Sequence, residues 1–79
     1  MWAPETLLAE VQQVWGGIVG EVIAAEAAPR AERAGVLTVA CSGSVWAHEL
    51  DLMSPTIVAR LNERLQRGSI TRLRCVSDG

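Results

Sequence analysis

The sequence predicts an α+β domain, with helices packed on one face of a three-stranded sheet in the order α(α)ββααβ. Three observations carry that prediction. Apolar residues recur at three- and four-residue steps over residues 4–26. A β-branched run, "VLTVAC" at 36–41, follows the turn signal Ala34-Gly35. After two more helical stretches split by Ser54-Pro55, the chain closes on the alternating segment "ITRLRCV", residues 70–76.

In the first helical stretch Thr6 is the expected N-cap. Leu7, Leu8, Val11, Val14, Trp15, Ile18, Val19, Val22 and Ile23 form the apolar stripe. Gly16 and Gly17 interrupt it, each costing about 1 kcal/mol in a helix interior, so a bend or a two-helix break is expected there. Residues 28–33 read as a weaker strand that pairs with 36–41 as a hairpin. Pro29 cannot donate to a ladder, which puts this first strand at the sheet edge.

Val45, Trp46, Glu49, Leu50, Leu52 and Met53 fit one short helix, with Ser42 or Ser44 as its cap. Ser54 then caps a second helix with Pro55 at its first position. Its core stripe is Ile57, Val58, Leu61 and Leu65, and Gly68 closes it. In the last strand Thr71, Leu73 and Cys75 share one face, and Arg72 and Arg74 the other.

The 79 residues make a single domain, 1–79, that buries only about 60% of its unfolded surface. Apolar residues make up 49%, with three Trp and no Phe or Tyr, so aliphatic side chains must build the core. Net charge is −2 and polarised along the chain. Residues 1–51 carry two Arg against seven carboxylates, and residues 52–79 carry five Arg against two. Cys41 and Cys75 fall in apolar alternating segments, as reduced core residues of a cytoplasmic protein do. No secretory leader is recognisable, no run suits a membrane span, and two Cys with one His do not make a zinc site. No nucleophile–base pair, facing carboxylates or nucleotide loop is present, so catalysis, cofactors and metals are not expected.

Each candidate feature has a structural and a functional reading. Trp46 is an anchor packing a helix onto the sheet, or an indole on which a base stacks. Trp15 reads as core. Trp2, near the terminus, is the indole expected to be exposed, within an apolar patch that could touch a partner. The turn Ser42-Gly43-Ser44 caps a helix, or presents backbone N–H groups to a phosphate. His48 reads as solvated surface. Glu49 falls within the Val45–Glu49–Leu52 stripe, which predicts a structural ion pair or hydrogen bond with an Arg near the last strand. Arg60, Arg64 and Arg67 follow one helix face, and Arg72 and Arg74 one strand face. If the two groups converge they make a phosphate-tracking patch; otherwise they are solvated faces.

The element order matches the prokaryotic type of KH-like fold. KH modules clamp single strands with a G-x-x-G loop between the two central helices, and that junction here is Leu52-Met53-Ser54-Pro55. An RNA-binding KH relative is therefore the weaker reading.

The segments "VWGGIVGEVIAAEAAP", "GVLTVACSGSVWAHELDLMSPTIVARLNERL" and "ITRLRCV" together resemble the bacterial DciA-like family of replicative-helicase operators and its small relatives. The resemblance covers nearly the whole chain. Its most telling parts are Trp15 with "IVG" after it, the strand "GVLTV", and "SVWAHEL" leading to "LMSP". It implies a non-enzymatic factor of DNA replication that associates with the replicative helicase and with DNA and helps the helicase onto single strands. Better-known members carry extra basic or disordered chain around the domain. The compact, acidic chain here departs from that and weighs against helicase loading on its own.

The expectation is thus a DNA-binding accessory that contacts single-stranded or duplex DNA weakly and in a salt-dependent way through Arg60, Arg64, Arg67, Arg72 and Arg74. The alternative is a protein–protein adaptor that docks the helicase or another replisome component with little DNA contact. A homodimer through an edge strand fits either.

Overall fold

A computed structural model describes residues 6–77; Trp2 lies outside them. Its elements are α1 (Leu7–Val19), α2 (Glu21–Glu26), β1 (Ala27–Arg33), β2 (Val36–Cys41), α3 (Ser44–Leu52), α4 (Ser54–Arg64) and β3 (Arg72–Ser77). This is the α+β arrangement expected, and the KH-like order is consistent with it. The sheet order is β1-β2-β3, with β1 antiparallel and β3 parallel to the central β2.

Thr6 caps α1 by accepting the Ala9 N–H at 3.0 Å. The helix runs through Gly16 and Gly17 and stops at Gly20, which corrects the expected break by one turn. Gly20 has φ +90°, a conformation that side chains disfavour, and its N–H donates back to the Gly16 carbonyl. Gly16 and Gly17 cost helix stability without ending the helix, whereas Gly20 supplies the positive φ at which α1 gives way to α2.

The β1–β2 hairpin turns on Ala34 and Gly35, both with positive φ (52° and 85°), as a type I′ turn requires. The Glu32 carboxylate closes it by accepting the Gly35 N–H at 2.8 Å. β1 lies at the edge, as Pro29 demands, and the register shifts between Pro29 and Ala31.

Alternation along β2 sends Leu37, Val39 and Cys41 into the core, where they meet Val11, Trp15 and Ile18 of α1, Leu50 of α3, Ile57 and Leu61 of α4, and Ile70 and Leu73. α1 crosses β1, α3 lies on β3, and α4 packs between α1 and β3, so the helices cover one face of the sheet. The Trp15 indole donates to the Ala27 carbonyl at 2.8 Å, tying α1 to the start of β1. Cys41 and Cys75 both belong to this packed side as thiols.

Other boundaries also differ from the sequence expectation. The N-cap of α3 is Gly43, with no side-chain cap; Ser42 and Ser44 do not serve. Met53 ends α3 and starts α4, so Ser54 is the first residue of α4 rather than its cap, and Pro55 sits within the first turn. α4 stops at Arg64, short of Gly68, and Thr71 precedes β3 instead of belonging to it. Tertiary hydrogen bonds account for these shifts. Glu10, buried on α1, accepts the N–H groups of Gln66 and Arg67, and Asn62 exchanges two hydrogen bonds with the Ile70 backbone. The chain from 65 to 71 is held as a loop because those partners satisfy its backbone outside any helix.

Burial also corrects the reading of α3. Its buried side is Trp46, Ala47 and Leu50. Val45, Glu49 and Leu52 are exposed, so Glu49 is not the core anchor that the sequence pattern suggested.

Candidate nucleic-acid interface

With all helices on one side, the other face of the sheet is left open, and register decides what stands on it. Arg33 pairs with Val36 and Val36 with Arg72, giving the row Arg33–Val36–Arg72. The next row is Ala31–Thr38–Arg74, and the third is Ala28–Ala40–Val76. No Asp or Glu stands in any of the three rows. Arg33, Arg72 and Arg74 are all exposed. From strand spacing, Arg33 and Arg72 are rooted about 10 Å apart, and Arg72 and Arg74 about 7 Å apart.

The hairpin turn fixes this arrangement. The Gly35 carbonyl accepts the N–H groups of Thr71 (2.8 Å) and Arg72 (3.4 Å) and the Thr71 hydroxyl (3.2 Å). The start of β3 is thereby pinned beside the turn that follows Arg33.

Comparison with known proteins identifies the family of the chain. The family model described as "Dna[CI] antecedent, DciA" matches residues 1–75. The chain belongs to the DciA family. It is 38% identical over 80 residues to a UPF0232 protein of Streptomyces avermitilis, covering 99% of this chain and 44% of that one. A UPF0232 protein of Streptomyces coelicolor is 36% identical, covering 99% and 42%, and one of Bifidobacterium longum is 31% identical, covering 94% and 47%. The chain thus spans less than half the length of these curated relatives.

Within this DciA-family domain, the five arginines singled out in the sequence divide between two surfaces. Arg72 and Arg74 are on the open sheet face. Arg60, Arg64 and Arg67 are exposed on and after α4, in the helix layer on the opposite side. The Arg64 guanidinium reaches across to α1, 3.6 Å from where a Cβ on Gly17 would stand. The two groups do not converge.

Arg33 is the residue that sequence reasoning missed, although its signal was present. In a two-residue hairpin the residues flanking the turn face each other across the strands, so Arg33 must share the side of Val36, opposite the buried Leu37.

The Ser42-Gly43-Ser44 turn is occupied from within. The Ser42 hydroxyl donates to the Glu26 carboxylate at 2.6 Å, and the Ser42 N–H donates to the Glu26 carbonyl at 2.8 Å. A carboxylate already stands where a phosphate would approach, which disfavours a second anion. Trp46 is half-buried against the core, and Trp15 is wholly enclosed, so neither indole stands on the open face. Among the described residues no group of three or more His, Cys, Asp or Glu could hold a metal ion, and no helix is long and apolar enough to cross a membrane.

Proposed function

We propose that this DciA-family domain is a non-enzymatic accessory of bacterial DNA replication that binds DNA through the open sheet face and acts alongside the replicative helicase. The acid-free rows carrying Arg33, Arg72 and Arg74 support the reading most directly. Arginine suits it because its planar fork contacts phosphate oxygens bidentately and keeps its charge at any physiological pH. These rows hold no aromatic side chain, so the face tracks the backbone and does not stack bases. Affinity therefore falls steeply with salt and depends little on sequence. Family membership supports the link to the helicase.

A second reading, a protein adaptor with little DNA contact, draws support from the net charge of −2 and from the apolar residues that α3 leaves exposed.

Fluorescence anisotropy of a labelled single-stranded oligonucleotide, titrated at several salt concentrations, separates the two readings. Salt-sensitive binding that disappears in Arg72→Glu/Arg74→Glu, with circular dichroism unchanged, supports the DNA reading. Absence of binding by the wild type at low salt removes it and leaves the adaptor.

A further inference from the structure

Four large apolar side chains are exposed among the described residues, and three of them belong to α3 and its junction with α4. They are Val45 (71% exposed) and Leu52 (66%) on α3, and Met53 (36%) at the junction with α4. Val45 and Leu52 are seven residues apart, which puts them on the same side of the helix two turns apart, with exposed His48 and Glu49 between them. The opposite side of α3 is already engaged: Trp46, Ala47 and Leu50 hold it to the core. α3 is therefore apolar on two sides, and the sheet accounts for only one.

The charges around the exposed stripe restrict what can cover it. α3 carries Glu49 and Asp51 and no Arg, and the first turn of α4 carries no charge. Nucleic acid is repelled by those carboxylates. A second copy pairing α3 with α3 across a two-fold axis would set Glu49 beside its own counterpart, which costs stability at a helix–helix contact. A partner helix with a complementary apolar stripe and basic flanks meets neither objection.

We propose that the outward face of α3 docks an amphipathic helix of a protein partner. The apolar stripe of that helix covers Val45, Leu52 and Met53, and its flanking Arg or Lys residues face Glu49 and Asp51. The proposal rests on the reading above that the domain works with a replication protein, and it names the surface that meets it. Because this surface belongs to the helix layer and the arginine rows to the other side of the sheet, DNA and protein partner can be held at once.

The test measures binding of the whole protein to the replicative helicase of the same organism by biolayer interferometry, with DNA binding followed in parallel. Val45→Ser/Leu52→Ser is the diagnostic variant; both side chains are solvated already, so the fold is retained. Binding to the helicase weakened about tenfold or more by this variant, and similarly by Glu49→Arg/Asp51→Arg, with DNA affinity kept in the Ser variant, upholds the proposal. Helicase bound equally well by both variants overturns it while leaving the helicase reading intact.

If the wild type does not bind helicase at all, that reading falls, and a synthetic helical peptide with a Leu stripe and Arg flanks decides the surface. Saturable binding that is abolished in Val45→Ser/Leu52→Ser upholds the proposal, and no binding overturns it. A dimer seen by light scattering that dissolves in the same variant also overturns it, because the occupant is then a second copy.

Discussion

Glu10 holds Arg67: its Oε1 accepts the Arg67 backbone N–H at 3.0 Å, from 57 residues away along the chain. Both oxygens of the same carboxylate also lie within 3.1 Å of the Gln66 nitrogen, so one side chain on α1 satisfies the loop that leaves α4. Removing it leaves two backbone donors unpaired beside the core. Glu10→Ala is expected to lower unfolding free energy by about 2 kcal/mol, and Glu10→Gln, which keeps one acceptor, by about half as much. Urea titration followed by circular dichroism measures both, and an Ala variant as stable as the wild type would refute the role.

The division of the arginines between two surfaces predicts unequal effects on DNA binding. Arg33→Glu is expected to weaken it as much as Arg72→Glu does, whereas Arg60→Glu/Arg67→Glu changes it little. Each phosphate that is no longer neutralised lowers the slope of log affinity against log salt by about 0.7 for single strands. Anisotropy titrations over a salt series read the slope directly. Equal weakening by the helix-layer pair would put the site elsewhere.

Gly16 and Gly20 stand one helical turn apart and should respond oppositely to alanine. Nothing lies within 4 Å of a Cβ on Gly16, and its conformation is helical, so Gly16→Ala is expected to stabilise the domain by about 0.5–1 kcal/mol. Gly20 also has open space, but its φ of +90° strains any side chain, and Gly20→Ala is expected to cost about 1–2 kcal/mol. Thermal unfolding of the two variants gives the sign of each change.

The Cys75 thiol is pushed up from 9.0 to about 11, first by burial, then by the neighbouring Cys41 and Asp51. Folding therefore favours the protonated thiol. Its contribution to stability is whole below pH 9 and is lost as the pH rises through about 11. Cys75→Ala should flatten the fall in stability over that window. In the native wild type, alkylation of Cys75 by iodoacetamide at neutral pH should be slow and should accelerate on unfolding, which mass spectrometry of the labelled peptide records.

Much of the fold follows from local chemistry. The type I′ turn at Ala34-Gly35, the alternation of β2 and β3, the edge placement of Pro29 and the boundary at Ser54-Pro55 each rest on a few adjacent residues, and so are legible along the chain. The family resemblance was legible for the same reason, in the order and spacing of those pieces.

Which side of α3 faces inward is a property of the assembled fold. That helix carries apolar residues on two faces, so periodicity alone could not choose between Val45–Glu49–Leu52 and Trp46–Ala47–Leu50; its seat on β3 chose the second. The role of Glu10 was equally hidden, because a carboxylate on α1 meets its partners only after the chain has returned past α4. The arginines make the same point. Their number and order were plain in the sequence, but their division between two surfaces follows from helices covering a single face of the sheet, and the row that joins Arg33 to Arg72 exists only once β3 lies beside β2. Local propensity acts on neighbours in sequence, whereas burial and charge clustering act on neighbours in space.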